Sequence, residues 1–339
     1  MKKITAIIVF AFIFVAGSVL AETTSTVKEL SVSQIANQLK ISSLKARAYP
    51  GSDFVVVSEL DASSTYYRYI VSYESDGLKE NGLLTVPKGE KPIGGWPAIL
   101  FLHGYVQPEV YTTEKRYAAY VDYFAKKGYV VFKPDYRGHA ESEGAPEGVY
   151  YSPAYAIDVL NALSSLKKYP DVNAKKIGYW AHSMGGNITL KNLLVDGKSI
   201  KAAVIWGGVV ASYRDIMFNW PDNNPKAVYR PSPKDISVKQ DYRKKIIAKY
   251  GTPKTNLSYW KLVDPTYYIK DITTPIQLHA GTKDLDVPID FSRGFYNKMK
   301  LAKKKIELYT YKNGNHNLSA PNFDLAMKRS VAFFDKYLK

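Results

Sequence analysis

Lys176-Ile177-Gly178-Tyr179-Trp180-Ala181-His182-Ser183-Met184-Gly185-Gly186 passes from a short apolar strand at 177–180 through a tight turn into a helix whose apolar positions are Ile188, Leu190, Leu193 and Leu194. A serine on such a strand-to-helix turn is pushed out of the sheet edge with its hydroxyl exposed and a helix N-terminus beneath it. Ser183 is therefore the candidate nucleophile. Strand and helix pass close together here, so small residues are needed two positions to either side. Gly185 meets that need, and Ala181 stands where glycine is more usual.

The remainder of the chain is consistent with an exported α/β protein. Its 339 residues, 46% of them hydrophobic, are enough to bury a full core. Residues 1–21 combine basic Lys2 and Lys3, an apolar run over 4–14 and the small-residue site Val19-Leu20-Ala21, the pattern of a cleaved secretory signal. The mature chain is expected to begin near Glu22, in a periplasm or outside the cell; an uncleaved membrane anchor is the alternative. There is no cysteine, which excludes disulfides and lipid attachment through a thiol. A formal charge of +16 implies weak attraction to anionic cell-surface polymers, but the lysines are scattered and no nucleic-acid module is visible. Nothing indicates an oligomeric state.

Residues 22–64 read as a lead-in with one short helix around Ile35 and Leu39. Segments 66–73 and 83–86 flank a turn at Ser75-Asp76-Gly77 and predict an antiparallel pair. From Trp96 onward, buried strands at 98–102, 129–132, 177–180, 202–206, 276–280 and 306–311 alternate with helical stripes such as Tyr117, Tyr120, Val121 and Phe124. Such alternation predicts a mostly parallel, eight-stranded sheet with helices on both faces over residues 65–339. One stretch breaks the pattern. Residues 209–264 are too long for a crossover and rich in aromatics and prolines, among them Tyr213, Phe218, Trp220, Pro221, Tyr229, Tyr242, Tyr250, Tyr259 and Trp260. An insertion after a strand's C-terminal end lies over the edge where ligands bind, so this segment is read as a cap. Tyr213 and Trp220 could stack on a sugar or aromatic acyl group, or simply pack the cap.

A serine hydroxyl needs a base to take its proton, and the base needs an acid to fix its tautomer. The chain has five histidines. His103 and His139 precede the serine, His182 adjoins it and should point the other way, and His279 lies in an apolar strand. His316, in the polar loop 312–317 after the last strand, remains as the base. The preceding strand runs into Gly281-Thr282-Lys283-Asp284-Leu285-Asp286-Val287-Pro288, whose frame sets Asp284 at the turn as the acid, with Asp286 as runner-up. Two backbone N–H groups should hold the oxyanion, one from Met184 and one from Tyr105 in His103-Gly104-Tyr105. His103 is read as a brace for that loop. No metal-ligand spacing and no phosphate-cradling glycine loop occurs, so no metal or cofactor is expected.

The ordered set Leu-His-Gly-Tyr, Asp135-Tyr-Arg-Gly-His-Ala-Glu-Ser-Glu-Gly144, Ala-His-Ser-Met-Gly-Gly, Gly-Thr-Lys-Asp-Leu-Asp-Val-Pro and Gly-Asn-His resembles the α/β-hydrolase catalytic domain of the prolyl oligopeptidase family over residues 65–339. The resemblance implies a serine hydrolase with Ser183 as nucleophile, Asp284 as acid and His316 as base, and places Arg137 and Gly138 near the site. Asp135, Arg137 and Ser142 are read as structural. Ala181 and Ala140 depart from the glycines common at those positions. Family peptidases carry a β-propeller that screens peptides, and residues 22–64 cannot supply blades of four strands each. Propeller-less relatives are similar to esterases on small or carbohydrate-linked acyl groups. Ester hydrolysis is therefore slightly favoured over cleavage of short peptides, with a non-catalytic cell-surface binding protein as the alternative of another class.

Overall fold

A computed structural model of the chain describes residues 30–220 and 233–339. The unit Val32–Lys339 carries the described elements. It opens with helices α1 (Val32–Gln38) and α2 (Ile41–Ala46), followed by strands β1 (Val55–Leu60), β2 (Tyr66–Ser75), β3 (Leu78–Pro87) and β4 (Trp96–Leu102). Helix α3 (Ala118–Ala125), β5 (Val130–Pro134), α4 (Ala154–Lys168), β6 (Val172–His182), α5 (Gly185–Asp196) and β7 (Ile200–Trp206) follow in strict alternation. Next come α6 (Tyr213–Phe218), α7 (Pro233–Tyr250) and α8 (Leu257–Val263), and then β8 (Ile276–Gly281), α9 (Ile289–Leu301), β9 (Ile306–Tyr311) and α10 (Phe323–Leu338).

The strands form one sheet in the order β1-β2-β3-β5-β4-β6-β7-β8-β9. β1, β2 and β3 pair antiparallel, β3 pairs antiparallel with β5, and every pairing from β5 to β9 is parallel. Successive side chains of a strand face opposite sides, and both sides here are covered. Leu100 and Leu102 point into a core shared with α2, α4, α5 and α9. Ile99 and Phe101 point into a second core with α3 and α10. That is why the parallel strands read as unbroken apolar runs rather than as an alternation. The expected α/β-hydrolase architecture is present.

The sheet has nine strands among the described residues rather than the expected eight. The extra one, β1, falls inside the stretch read as a lead-in and lies at the edge of the sheet. Its residues Val55, Val56 and Val57 are all exposed, and its pairing with β2 is interrupted between Val56 and Ser58. No two-residue burial period survives for a sequence reading to find. The β2–β3 turn is the expected one, with Asp76 and Gly77 both at positive φ between the paired residues Ser75 and Leu78, as a two-residue hairpin requires.

The segment read as a cap holds α6, α7 and α8. Tyr213, Met217, Ile246, Tyr259, Trp260 and Val263 form a core of their own there with Tyr151 and with Ile35, Ala36 and Leu39 of the lead-in. Part of the lead-in thus packs against this segment. Pro221 and Tyr229 of the cap, and the expected signal at 1–21, lie outside the described residues. Among the described residues no helix is long and apolar enough to cross a membrane.

Candidate active site

Ser183 lies between the end of β6 and the start of α5 with φ +53°, in the left-handed region that residues with a Cβ rarely adopt. Backbone bonds hold it there. Its N–H donates to the Trp206 carbonyl at 3.0 Å, and its carbonyl accepts from Gly186 and Val209, each at 2.9 Å. The turn is therefore tied both to its own helix and to the end of β7. A Cβ on Gly185 would stand 2.3 Å from the Leu102 carbonyl oxygen, so only glycine fits where α5 passes β4. Ala181 is fully buried between Leu102 of β4 and Ile205 of β7, a position where one methyl group still fits. Ser183 is half-buried, and its hydroxyl has no hydrogen-bond partner among the described residues.

Asp284 and His316 come from the turns after β8 and β9, which pack so closely that a Cβ on Gly281 would stand 2.2 Å from the Gly314 carbonyl oxygen. One Asp284 oxygen accepts the N–H groups of Asp286 and Val287 at 2.9 and 2.8 Å, and the other accepts His316 Nδ1 at 2.8 Å. That pairing puts the imidazole proton on Nδ1 and leaves Nε2 with a lone pair. The Asp284 side chain is 2% exposed, so the bond is shielded from water. Of the two aspartates weighed in this loop, Asp284 is the one bonded to His316. Gly207, which follows β7 with φ +50°, lies beside the pair: a Cβ there would stand 2.9 Å from His316 Nδ1 and 3.1 Å from Asp284 Oδ2. The sequence reading did not single out Gly207, although a Gly-Gly pair directly after a buried strand was a usable signal.

The Met184 N–H has no partner among the described residues and stands at the N-cap of α5, where the helix dipole favours negative charge. The loop with Tyr105 approaches from β4, and a Cβ on Gly104 would stand 3.0 Å from the Ser183 Cβ. Both expected oxyanion donors thus belong to segments adjoining the serine. His103 is fully buried, stacks on Tyr136 at 4.0 Å between ring centres, and its Nδ1 lies 2.7 Å from the Gly104 carbonyl. Burial, with His139 and Lys133 nearby, holds its pKa well below the usual histidine range. It braces the loop as a neutral ring.

Behind that loop, Asp135 accepts from the Tyr111 hydroxyl at 2.5 Å and from Thr113, and the buried Lys133 donates to the Tyr111 oxygen at 2.8 Å. Burial raises Asp135 to about 6 and lowers Lys133 to about 8. Arg137 makes several bonds to the buried carboxylate of Asp158, and Ser142 Oγ accepts the Asn81 N–H at 2.9 Å. These contacts tie the loops to the sheet and to α4. Asp284, Asp286 and His316 each offer one metal-ligating atom within 4.8 Å of the others, but both Asp284 oxygens are already engaged by N–H donors.

The two cap aromatics differ. Tyr213 is fully buried, and its hydroxyl donates to the Tyr150 carbonyl, so it packs within the segment 209–264 and presents no face to a substrate. Trp220 is half-buried beside Val209, Val287 and Phe291, and its indole N–H donates to the Asp286 carbonyl at 2.7 Å. Val209 is bonded to Ser183 and Val287 to Asp284, so this apolar group adjoins both.

The family described as serine aminopeptidase, S33, matches residues 97–320, which include the turns bearing Ser183, Asp284 and His316. An uncharacterized peptidase, YtmA, of Bacillus subtilis (strain 168) is 27% identical over 251 residues, covering 73% of this chain and 85% of that protein. The fold is similar to that of an acetyl xylan esterase from Paenibacillus sp. R4, with a TM-score of 0.64 and 18% identity over 89% of this chain and 92% of that one. It is similar also to acylaminoacyl peptidase from Pyrococcus horikoshii, with a TM-score of 0.58 and 23% identity, covering 81% of this chain and 42% of that one.

Proposed function

The chain belongs to the serine aminopeptidase, S33, family of α/β-hydrolases, and on that premise we propose that it is a serine hydrolase working through an acyl-enzyme on Ser183. The observation that carries this reading is the 2.8 Å bond from His316 Nδ1 to a shielded Asp284, set beside a serine held in left-handed backbone at the head of a helix. In the first half-reaction His316 Nε2 takes the Ser183 proton as Oγ adds to the acyl carbonyl carbon. The carbonyl electrons move to oxygen, where the N–H groups of Met184 and Tyr105 receive them. Collapse expels the alcohol or amine, protonated by His316. Water, deprotonated by the same imidazole, then adds to the acyl-enzyme and releases the acid.

The favoured substrates are esters of small or carbohydrate-linked acyl groups. The apolar wall of Val209, Val287, Phe291 and Trp220 suits an acyl chain. Cleavage of short peptides is the second reading, favoured by the family description and by the peptidase YtmA. The deciding experiment compares kcat/KM for one acyl group presented as an activated ester and as an anilide, across acetyl, longer acyl and prolyl variants. Ester cleavage alone supports the first reading; anilide cleavage at a comparable rate replaces it with the second. The pattern of residues 1–21 supports export, and the N-terminal residue of the mature protein tests it, with Glu22 expected and Met1 contradicting it.

A further inference from the structure

We propose that the first turn of α3 is a positioning clamp, in which the hydroxyls of Tyr117 and Tyr120 fix the oxyanion loop, the strand end bearing Ser183 and the loop bearing His316 relative to one another. The inference rests on the triad reading above.

Tyr117 precedes α3 with φ 62° and ψ 19°, a left-handed conformation that costs a β-carbon residue free energy, and it makes no side-chain cap bond to its own helix. Its hydroxyl is used elsewhere. The oxygen accepts the Gly104 N–H at 2.9 Å and lies 2.8 Å from His182 Nδ1. The His316 carbonyl, 3.1 Å from His182 Nε2, can only accept, so the neutral ring carries its proton on Nε2 and its Nδ1 accepts the Tyr117 hydroxyl proton. The chain of bonds runs unbroken from Gly104 through Tyr117 and His182 to the backbone of His316. His182 is fully buried, and burial with His316 beside it keeps it well below the usual histidine range, so the neutral tautomer persists.

One turn further on, the Tyr120 hydroxyl donates to the Asn317 carbonyl at 2.9 Å. Two successive carbonyls of the base-bearing loop, those of residues 316 and 317, are therefore held through α3. A Cβ on Gly104 would stand 2.7 Å from the Tyr117 hydroxyl oxygen, so the glycine at that position and the clamp fit one another. Ring packing alone does not account for the two tyrosines. Tyr117 lies against Phe101 at 5.4 Å and Tyr120 against Trp180 at 5.2 Å, contacts that phenylalanine would make equally well. The hydroxyls are what phenylalanine lacks, and their partners all belong to the site.

The test is steady-state kinetics on an activated ester with Tyr117→Phe, His182→Leu, His182→Gln and the double variant Tyr117→Phe/His182→Leu, alongside melting temperatures. The clamp predicts that Tyr117→Phe lowers kcat about tenfold with KM within about twofold, because misplaced groups slow chemistry more than binding. The double variant should be no slower than His182→Leu, since both residues lie on one chain of bonds. Glutamine, whose amide can still donate to the His316 carbonyl, should restore part of what leucine loses. Should His182→Leu fail to fold, Tyr117→Phe and His182→Gln decide alone. Wild-type kcat in Tyr117→Phe, with Ser183→Ala inactive, overturns the clamp and leaves the triad standing. So does a lowered melting temperature with unchanged kcat, the mark of a merely structural role. Activity retained by Ser183→Ala overturns the triad reading and this inference together.

Discussion

The Asp284 carboxylate grips His316 from one side and its own loop from the other. Oδ2 accepts His316 Nδ1 at 2.8 Å, while Oδ1 accepts the N–H groups of Asp286 and Val287. The Asp284 carboxylate is therefore held by its own loop and in turn orients the His316 ring. Asp284→Asn should lower kcat by about 10³- to 10⁴-fold, because an amide stabilises the wrong imidazole tautomer. Asp286→Asn should stay within a few-fold of wild type. Steady-state rates on one ester separate the two, and a larger loss at Asp286 would reassign the acid.

Gly207 tests the same geometry from below. Its φ of +50° disfavours a β-carbon, and that carbon would press on both His316 Nδ1 and Asp284 Oδ2. Gly207→Ala is expected to reduce kcat about tenfold, since a misplacement of about 1 Å costs about a hundredfold and the added carbon forces a smaller shift. Wild-type turnover in this variant would mean that the pair tolerates displacement and that its observed position is not required.

The buried Asp135 gives a pH signature. Burial raises it from its ordinary 3.8 to about 6, so between those values the unfolded chain is ionised while the folded chain still holds the proton. Folding stability contributed by this group is greatest below pH 4 and is lost as pH rises to about 6, a change on the order of 3 kcal/mol at 1.36 kcal/mol per unit. Urea unfolding of wild type and Asp135→Asn across pH 4–7 should show a difference that falls with pH and then flattens. A difference that rises with pH would reverse the account.

Tyr213 and Trp220 should separate under mutation. Tyr213→Phe removes the hydroxyl bond to the Tyr150 carbonyl and should cost about 1 kcal/mol of stability without altering acyl preference. Trp220→Ala opens the apolar wall beside Val287 and Phe291 and should shift preference toward longer acyl groups. A kcat/KM series over acyl length checks both, and an unchanged profile in Trp220→Ala would remove that wall from the substrate site.

The parts of the molecule legible in the sequence were those fixed by local backbone. The parallel strands announced themselves as apolar runs because both faces are covered, and the turns at Ser183, Asp284 and His316 each follow a strand end with its own small-residue frame. Edge strand β1 escaped because its valines are exposed on both sides and its register breaks. Tyr117 and Tyr120 read as apolar positions on a helix, which their rings are; the partners of their hydroxyls lie 13 to 197 residues away in sequence. No local pattern carries that information. The same holds for Tyr213, whose aromatic character fitted a binding role until its burial showed a packing one.

The most direct measurement is intact-mass and peptide mapping of the protein after incubation with a fluorophosphonate, with Ser183→Ala in parallel. A single adduct on Ser183, absent from the variant and accompanied by loss of turnover at the same rate, is the expected result. An adduct elsewhere, or turnover that continues with Ser183 fully modified, would contradict the assignment of Ser183 as the nucleophile.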